Sequence, residues 1–101
     1  MVKKTGSGNT SPPGRIKKLQ DRSQKGRGAH DLLDNATLNQ ALEGMRRGAF
    51  ELIANSTADE KAIRDDAYYL IKVVDKFKSI LKTYATQGDG ANVELKKLLE
   101  N

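Results

Sequence analysis

Apolar residues in the middle of the chain, Leu38, Ala41, Leu42, Met45, Ala49, Leu52 and Ile53, recur at steps of about three and four residues. Polar residues fill the positions between them. This spacing predicts an amphipathic helix from about Ala36 to Ala54, roughly 28 Å long at 1.5 Å per residue, with Phe50 at the edge of its apolar stripe. A second run, Ile63, Ala67, Leu70, Val74, Phe77, Leu81 and Tyr84, keeps a mean step of 3.5 residues, the spacing of a coiled-coil-like seam. Ile71, Val73 and Ile80 widen that face.

The "NSTADE" stretch, Asn55 to Glu60, separates the two runs. Thr57 followed three residues later by Glu60 reads as a capping box, in which each side chain satisfies a free backbone N–H at the helix start. Gly88 and Gly90 are expected to end the second helix. "ANVELKKLLE" then predicts a short amphipathic helix carrying Val93, Leu95, Leu98 and Leu99, capped by Asp89 or Asn92. "HDLLDN" reads as a helical turn ending near Asn35. No Pro follows Leu32, and β-branched residues do not alternate with polar ones. The expected fold is all-α: an antiparallel helical hairpin within residues 31–101, with short flanking helices.

Residues 1–30 break this pattern. Lys3, Lys4, Arg15, Lys17, Lys18, Arg22, Lys25 and Arg27 stand there against Asp21, a balance of +7. Residues 31–101 carry ten basic and twelve acidic side chains, a balance of −2, which recovers the net +5 of the whole. Five of the nine glycines and both prolines also fall in the first thirty residues. The expectation is an extended, flexible basic arm, in which "RIKKLQDRSQK", with Ile16 and Leu19 on one side, becomes a short helix only on a bound surface. Such an arm serves as a solubilising tail, a contact to a polyanion, or a tether to a neighbouring subunit. No Phe, Tyr or Trp is interleaved with its cations, and no recognition-helix pattern appears. A phosphate contact would therefore be salt-sensitive and sequence-blind.

The candidate chemistry adds little. With no Cys and a single His, disulfide staples and a structural zinc are excluded, so self-association or docking is the expected support for a small core. His30 has no Cys, Ser or second His to work with. The carboxylates of "DEKAIRDD" suit the start of a helix dipole, and the three tyrosines follow the helix faces as packing residues. "GMRRG" places Gly44 and Gly48 four residues apart, either for a close helix approach or as tolerated surface glycines. Arg46 and Arg47 either extend the basic surface or pair with Glu43 and Glu51. No Gly-rich loop follows a strand and no nucleophile–base pair appears, so no enzyme, metal or cofactor is expected. No run approaches the ~20 apolar residues needed to cross a bilayer, nor does an apolar export segment follow the N-terminal lysines, so no membrane partner or standard export is expected.

The stretch "HDLLDNATLNQALEGMRRGAFELIANSTADEKAIRDDAYYLIKVVDKFKSILKTYATQGD" resembles small helical proteins encoded among the head genes of tailed phages. In those a short "LL-D-P" opening precedes one helix, a "T-x-x-(D/E)" break follows, and a helix with "R-(D/E)-x-(A/L)" ends at a Gly. Leu32 to Asp34, Thr57 with Glu60, Arg64 to Ala67, and Gly88 match, across Asp31 to Asp89. Asn35 stands in place of the proline, and the basic segment lies outside the match. The resemblance implies the hairpin and a virion setting, and carries over no active-site residue.

The resulting expectation is a non-enzymatic phage structural or head-assembly protein. It would oligomerise with itself or dock on other virion proteins through Leu38, Leu42, Met45, Leu52, Ile53, Ile63, Leu70, Val74, Phe77, Leu81 and Tyr84, while the cations of residues 1–30, with Arg46 and Arg47, contact capsid, connector or DNA. The alternatives are a nucleic-acid-binding accessory in the host cytoplasm, for packaging or regulation, and a plain adaptor that needs only its helices.

Overall fold

A computed structural model describes residues 12–100 of the chain. Among them there is no strand. Three helices follow one another: α1, Pro12–Leu33; α2, Ala36–Asn55; and α3, Lys61–Glu100. The chain packs as two compact units, residues 12–30 with 83–100, and Asp31–Lys82.

Asp31–Lys82 contains α2 and the first part of α3. The Asn35 side chain accepts the Leu38 N–H at 2.8 Å, which starts α2 with an ordinary N-cap. Asn39 donates back to the Leu33 carbonyl, so the end of α1 and the start of α2 are satisfied together. The break between α2 and α3 is held from both sides. Ser56 donates to the Ile53 carbonyl, and the Arg64 guanidinium donates to Ser56 Oγ and to the Thr57 and Ala58 carbonyls. Only half of the expected capping box forms. Glu60 accepts the Thr57 N–H at 2.8 Å, but the Thr57 hydroxyl donates to the Asp59 and Glu60 carboxylates and accepts no backbone N–H. Those donors hold the Asp59 and Glu60 carboxyls below the usual range: the Thr57 hydroxyl leads for Asp59 and the Thr57 N–H for Glu60.

The core of this unit is thin. Ala49, Ala67 and Ile71 form its buried cluster, with Ile53 and Leu70 packed against it, and Val74 is almost wholly enclosed. The inner seam of α3 runs through Ala67, Ile71, Val74 and Leu81. The expected seam shares Ala67, Val74 and Leu81 with this one and differs by one helical position elsewhere. It placed Leu70 and Phe77 inward, whereas Ile71 takes the buried position and Phe77 is 41% exposed. Adjacent stripes both have a 3.5-residue period, so periodicity alone does not choose between them.

The other unit overturns the expectation for residues 1–30 wherever they are described. Pro12–Leu33 is one 22-residue helix, and "RIKKLQDRSQK" is its interior. Lys3 and Lys4 lie outside the described residues. Leu19, Ser23, Gly26 and Ala29, at steps of four, three and three, form the buried stripe of α1. Ala85, Gly88 and Ala91 are the buried positions of α3 in this unit. At Gly26 and Gly88 the two backbones meet. A Cβ built on either would stand 2.6 Å from the other's Cα. This contact explains why α3 continues through Gly88 and Gly90, where a stop and a separate short helix over residues 91–100 were expected. Neither glycine takes the left-handed conformation that a glycine helix stop uses, and Gly88 serves the helix crossing instead.

Candidate functional site

Because the buried stripe of α1 uses small residues, its flanks are left to charge. At 100° per residue, Arg15, Lys18, Arg22 and Lys25, spaced three, four and three apart, fall along one side of the helix over about 15 Å. The ends of this row are anchored on α3. Arg15 donates to Glu94 at 2.6 Å, which draws the Glu94 carboxyl below its usual range, and Lys25 stands 4.8 Å from the centre of the Tyr84 ring. Between them Lys18 and Arg22 are exposed, and the Arg22 charge adds to the pull of Arg15 on Glu94.

The opposite flank of the same helix pair is polar and mixed in sign. His30 Nε2 lies 3.0 Å from Asp89 Oδ1, and the Ser23 hydroxyl, 7% exposed as a residue, donates to Asn92 Oδ1 at 2.5 Å. His30 is thus an exposed partner of Asp89. Lys17, Gln20, Gln24, Arg27 and Leu95 border an open groove there, and Lys17 approaches Asp21 at 3.8 Å. Asp89 and Asn92, expected as caps, act instead as these cross-helix partners inside α3.

In Asp31–Lys82 the predicted contact residues divide into three groups. Leu42, Val74 and Leu81 are buried, whereas Leu38, Ile53 and Leu70 are partly covered, as is Tyr84 in the other unit. Met45, Leu52, Ile63 and Phe77 are exposed. Helical phase gathers this exposed set on one side: Leu38, Met45, Gly48 and Leu52 of α2 stand beside Ile63, Leu70, Val73, Phe77 and Ile80 of α3. The only charge in that row on α3 is Asp66. The other side is polar. There Arg46 reaches Asp75 at 3.1 Å and lies over Phe50, rather than pairing with Glu43, and Arg47 is exposed. The Arg46 and Arg47 cations therefore belong to a mixed surface of their own unit. Gly44 and Gly48 make no close approach among the described residues, since a Cβ at either would meet nothing within 4 Å.

Charge is also polarised along this unit. Residues 59–66 carry Asp59, Glu60, Asp65 and Asp66 against Lys61 and Arg64, a balance of −2. Residues 72–82 carry Lys72, Lys76, Lys78 and Lys82 against Asp75, a balance of +3.

No group of three His, Cys, Asp or Glu side chains that could hold a metal ion occurs among the described residues, and no helix among them is long and apolar enough to cross a membrane. No protein-family model, curated protein or solved structure matches this chain.

Proposed function

We propose that this chain is a non-enzymatic assembly protein whose α2–α3 hairpin docks or oligomerises and whose α1 presents a basic flank to a polyanionic surface. The observation that carries this reading is the row Arg15, Lys18, Arg22 and Lys25, held on a folded helix with Lys18 and Arg22 exposed at its centre. A cation row fixed on a helix loses less conformational freedom on binding than the same residues in a flexible tail. The setting is the one implied by the resemblance over Asp31 to Asp89, the head of a tailed phage, where capsid, connector and packaged DNA all offer acidic partners. The exposed cations also favour a second reading, a nucleic-acid-binding accessory in the host cytoplasm.

The deciding measurement is the solution mass by light scattering, at low and high salt, with and without duplex DNA. A defined oligomer indifferent to DNA supports the assembly reading. Salt-sensitive DNA complexes, weakened by Lys18→Gln with Arg22→Gln, support the second. A monomer that binds no polyanion at low salt defeats both. Truncating residues 1–28 is a poor test, because it also removes one side of the α1–α3 contact at Gly26 and Gly88.

A further inference from the structure

The large apolar residues that stay exposed on Asp31–Lys82 include a set that shares one side of it. Ile63, Val73 and Phe77 of α3 are 42%, 47% and 41% exposed, and Leu52 of α2 is 53% exposed, all on the same side. Together they continue an apolar row over almost five turns of α3. The buried set beneath them is small, with two alanines in its central cluster, so covering this side adds substantially to the apolar area removed from water.

We infer that this side is the interface between two copies of the chain, joined antiparallel by a two-fold axis near the level of Ile71 and Lys72, to give four packed helices. Three observations on this unit select a second copy. First, the row on α3 is centred there: Ile63 and Ile80 lie at its two ends, and Leu70 and Val73 flank its middle. A two-fold at that level lays the row on itself, as an isologous interface requires. Second, the charge polarity of the unit complements itself only in this direction. Antiparallel docking sets residues 59–66, with a balance of −2, against residues 77–82 of the other copy, which carry Lys78 and Lys82, whereas parallel docking sets like against like. Asp66 of each copy then meets the level of Lys76 of the other. Third, Gly48 lies in the α2 part of this side with open space above it, so a neighbouring helix has room for close approach that nothing among the described residues uses. Small helical units gain their missing core in this way, with side chains from facing helices interdigitating at crossing angles of about 20°.

This inference rests on the docking part of the proposed function and supplies its partner, a second copy, independently of any polyanion contact at α1. The test is sedimentation velocity of the full chain, without DNA, from about 1 to 100 µM. The expected species is a dimer of twice the 11.1 kDa chain mass. Phe77→Asp is expected to raise the dissociation constant by about 30-fold or more, as loss of an interface anchor does, with helix content retained by circular dichroism. If Phe77→Asp does not fold, the charge pair decides on exposed positions alone. Asp66→Lys and Lys76→Glu each weaken the dimer singly, and the combined variant recovers it. A wild-type monomer at 100 µM overturns the inference, and if that monomer binds duplex DNA through α1 it favours the nucleic-acid reading over the assembly reading. A dimer unmoved by folded Phe77→Asp, or single charge reversals that neither weaken nor rescue, also overturns it.

Discussion

Replacing Gly88 by Ala tests the α1–α3 contact more sharply than any other single change. By helix propensity alone the substitution stabilises an interior helical position by about 1 kcal/mol. The structure opposes this. The new Cβ would lie 2.6 Å from the Gly26 Cα and 3.1 Å from the Arg22 carbonyl oxygen, against a comfortable carbon–carbon separation of about 3.5–4.0 Å. Both neighbours are backbone, so no side chain can swing aside, and the helices must separate by about 1 Å. Overpacking of this kind costs about 1–3 kcal/mol and loosens the contacts on either side, including the Ser23–Asn92 hydrogen bond. Gly90, two residues along the same helix, is the internal control, because a Cβ there meets nothing within 4 Å. Gly90→Ala should therefore keep its propensity gain, and Gly88→Ala should fall about 1–3 kcal/mol below it. Urea denaturation followed by far-UV circular dichroism reads this as a midpoint about 1–2 M lower for Gly88→Ala, at a slope near 1–1.5 kcal/mol per M. Gly26→Ala should behave like Gly88→Ala, and Gly28→Ala like Gly90→Ala, since these pairs share their environments. Equal midpoints for the Gly88 and Gly90 variants would show that the two backbones do not meet, and the description of α1 as a packed helix would fall with them.

Further expectations concern caps, acid and salt. Asn35→Ala removes the acceptor of the Leu38 N–H and should lower stability by about 1 kcal/mol, while Asn35→Asp should restore it; equal midpoints for Ala and wild type would refute the cap. Asp59, Glu60 and Glu94 have folded pKa values below their ordinary ones, so the unfolded chain takes up protons first. Their contribution is complete above the ordinary carboxylate range and is lost as pH falls through the folded values, so the melting temperature should drop from about pH 5 to pH 3. Glu94→Gln should flatten part of that drop, and a melting temperature that rises on acidification would contradict the assignment. For a chain that binds duplex DNA through α1, neutralising Lys18 and Arg22 should reduce the slope of log binding constant against log salt by about 2, while Arg47→Gln leaves it unchanged. A slope altered only by Arg47→Gln would move the contact off α1.

The all-helical class and the extent of α2 were legible in the apolar spacing. A 3.6-residue stripe of Leu, Ile and Met has no competing interpretation when strand alternation and proline are both missing. Asn35, Thr57 and Glu60 likewise marked the ends of elements, because the hydrogen bonds that break a helix are local. The capping role of Asn35 itself was missed: it reads as the end of a turn until Leu38 is seen donating to it. Helix formation by Pro12–Leu33 was not legible. Its buried stripe is Leu19, Ser23, Gly26 and Ala29, three of them too small or polar to register as a hydrophobic face, and its glycines argue locally for a flexible chain. Only Gly88, just over sixty residues away, gives Gly26 its purpose, and no local pattern records such a pairing.

The candidate site divides along the same line. The cations of α1 were visible as charge, but their arrangement as one row, with Arg15 and Lys25 anchored and Lys18 and Arg22 exposed between them, follows from the helix and from its contacts with Glu94 and Tyr84. The apolar residues of α3 were visible too, although two stripes of equal period compete for the inner position. Contact with α2 resolved this, burying Ile71 and leaving Phe77 on the open side. The sequence by itself determined which segments have helical periodicity and where charge accumulates, because both are properties of residues close together in the chain. The tertiary structure decided which face is buried and which glycines are contacts rather than stops, because those outcomes depend on the atoms that a distant segment brings within van der Waals reach.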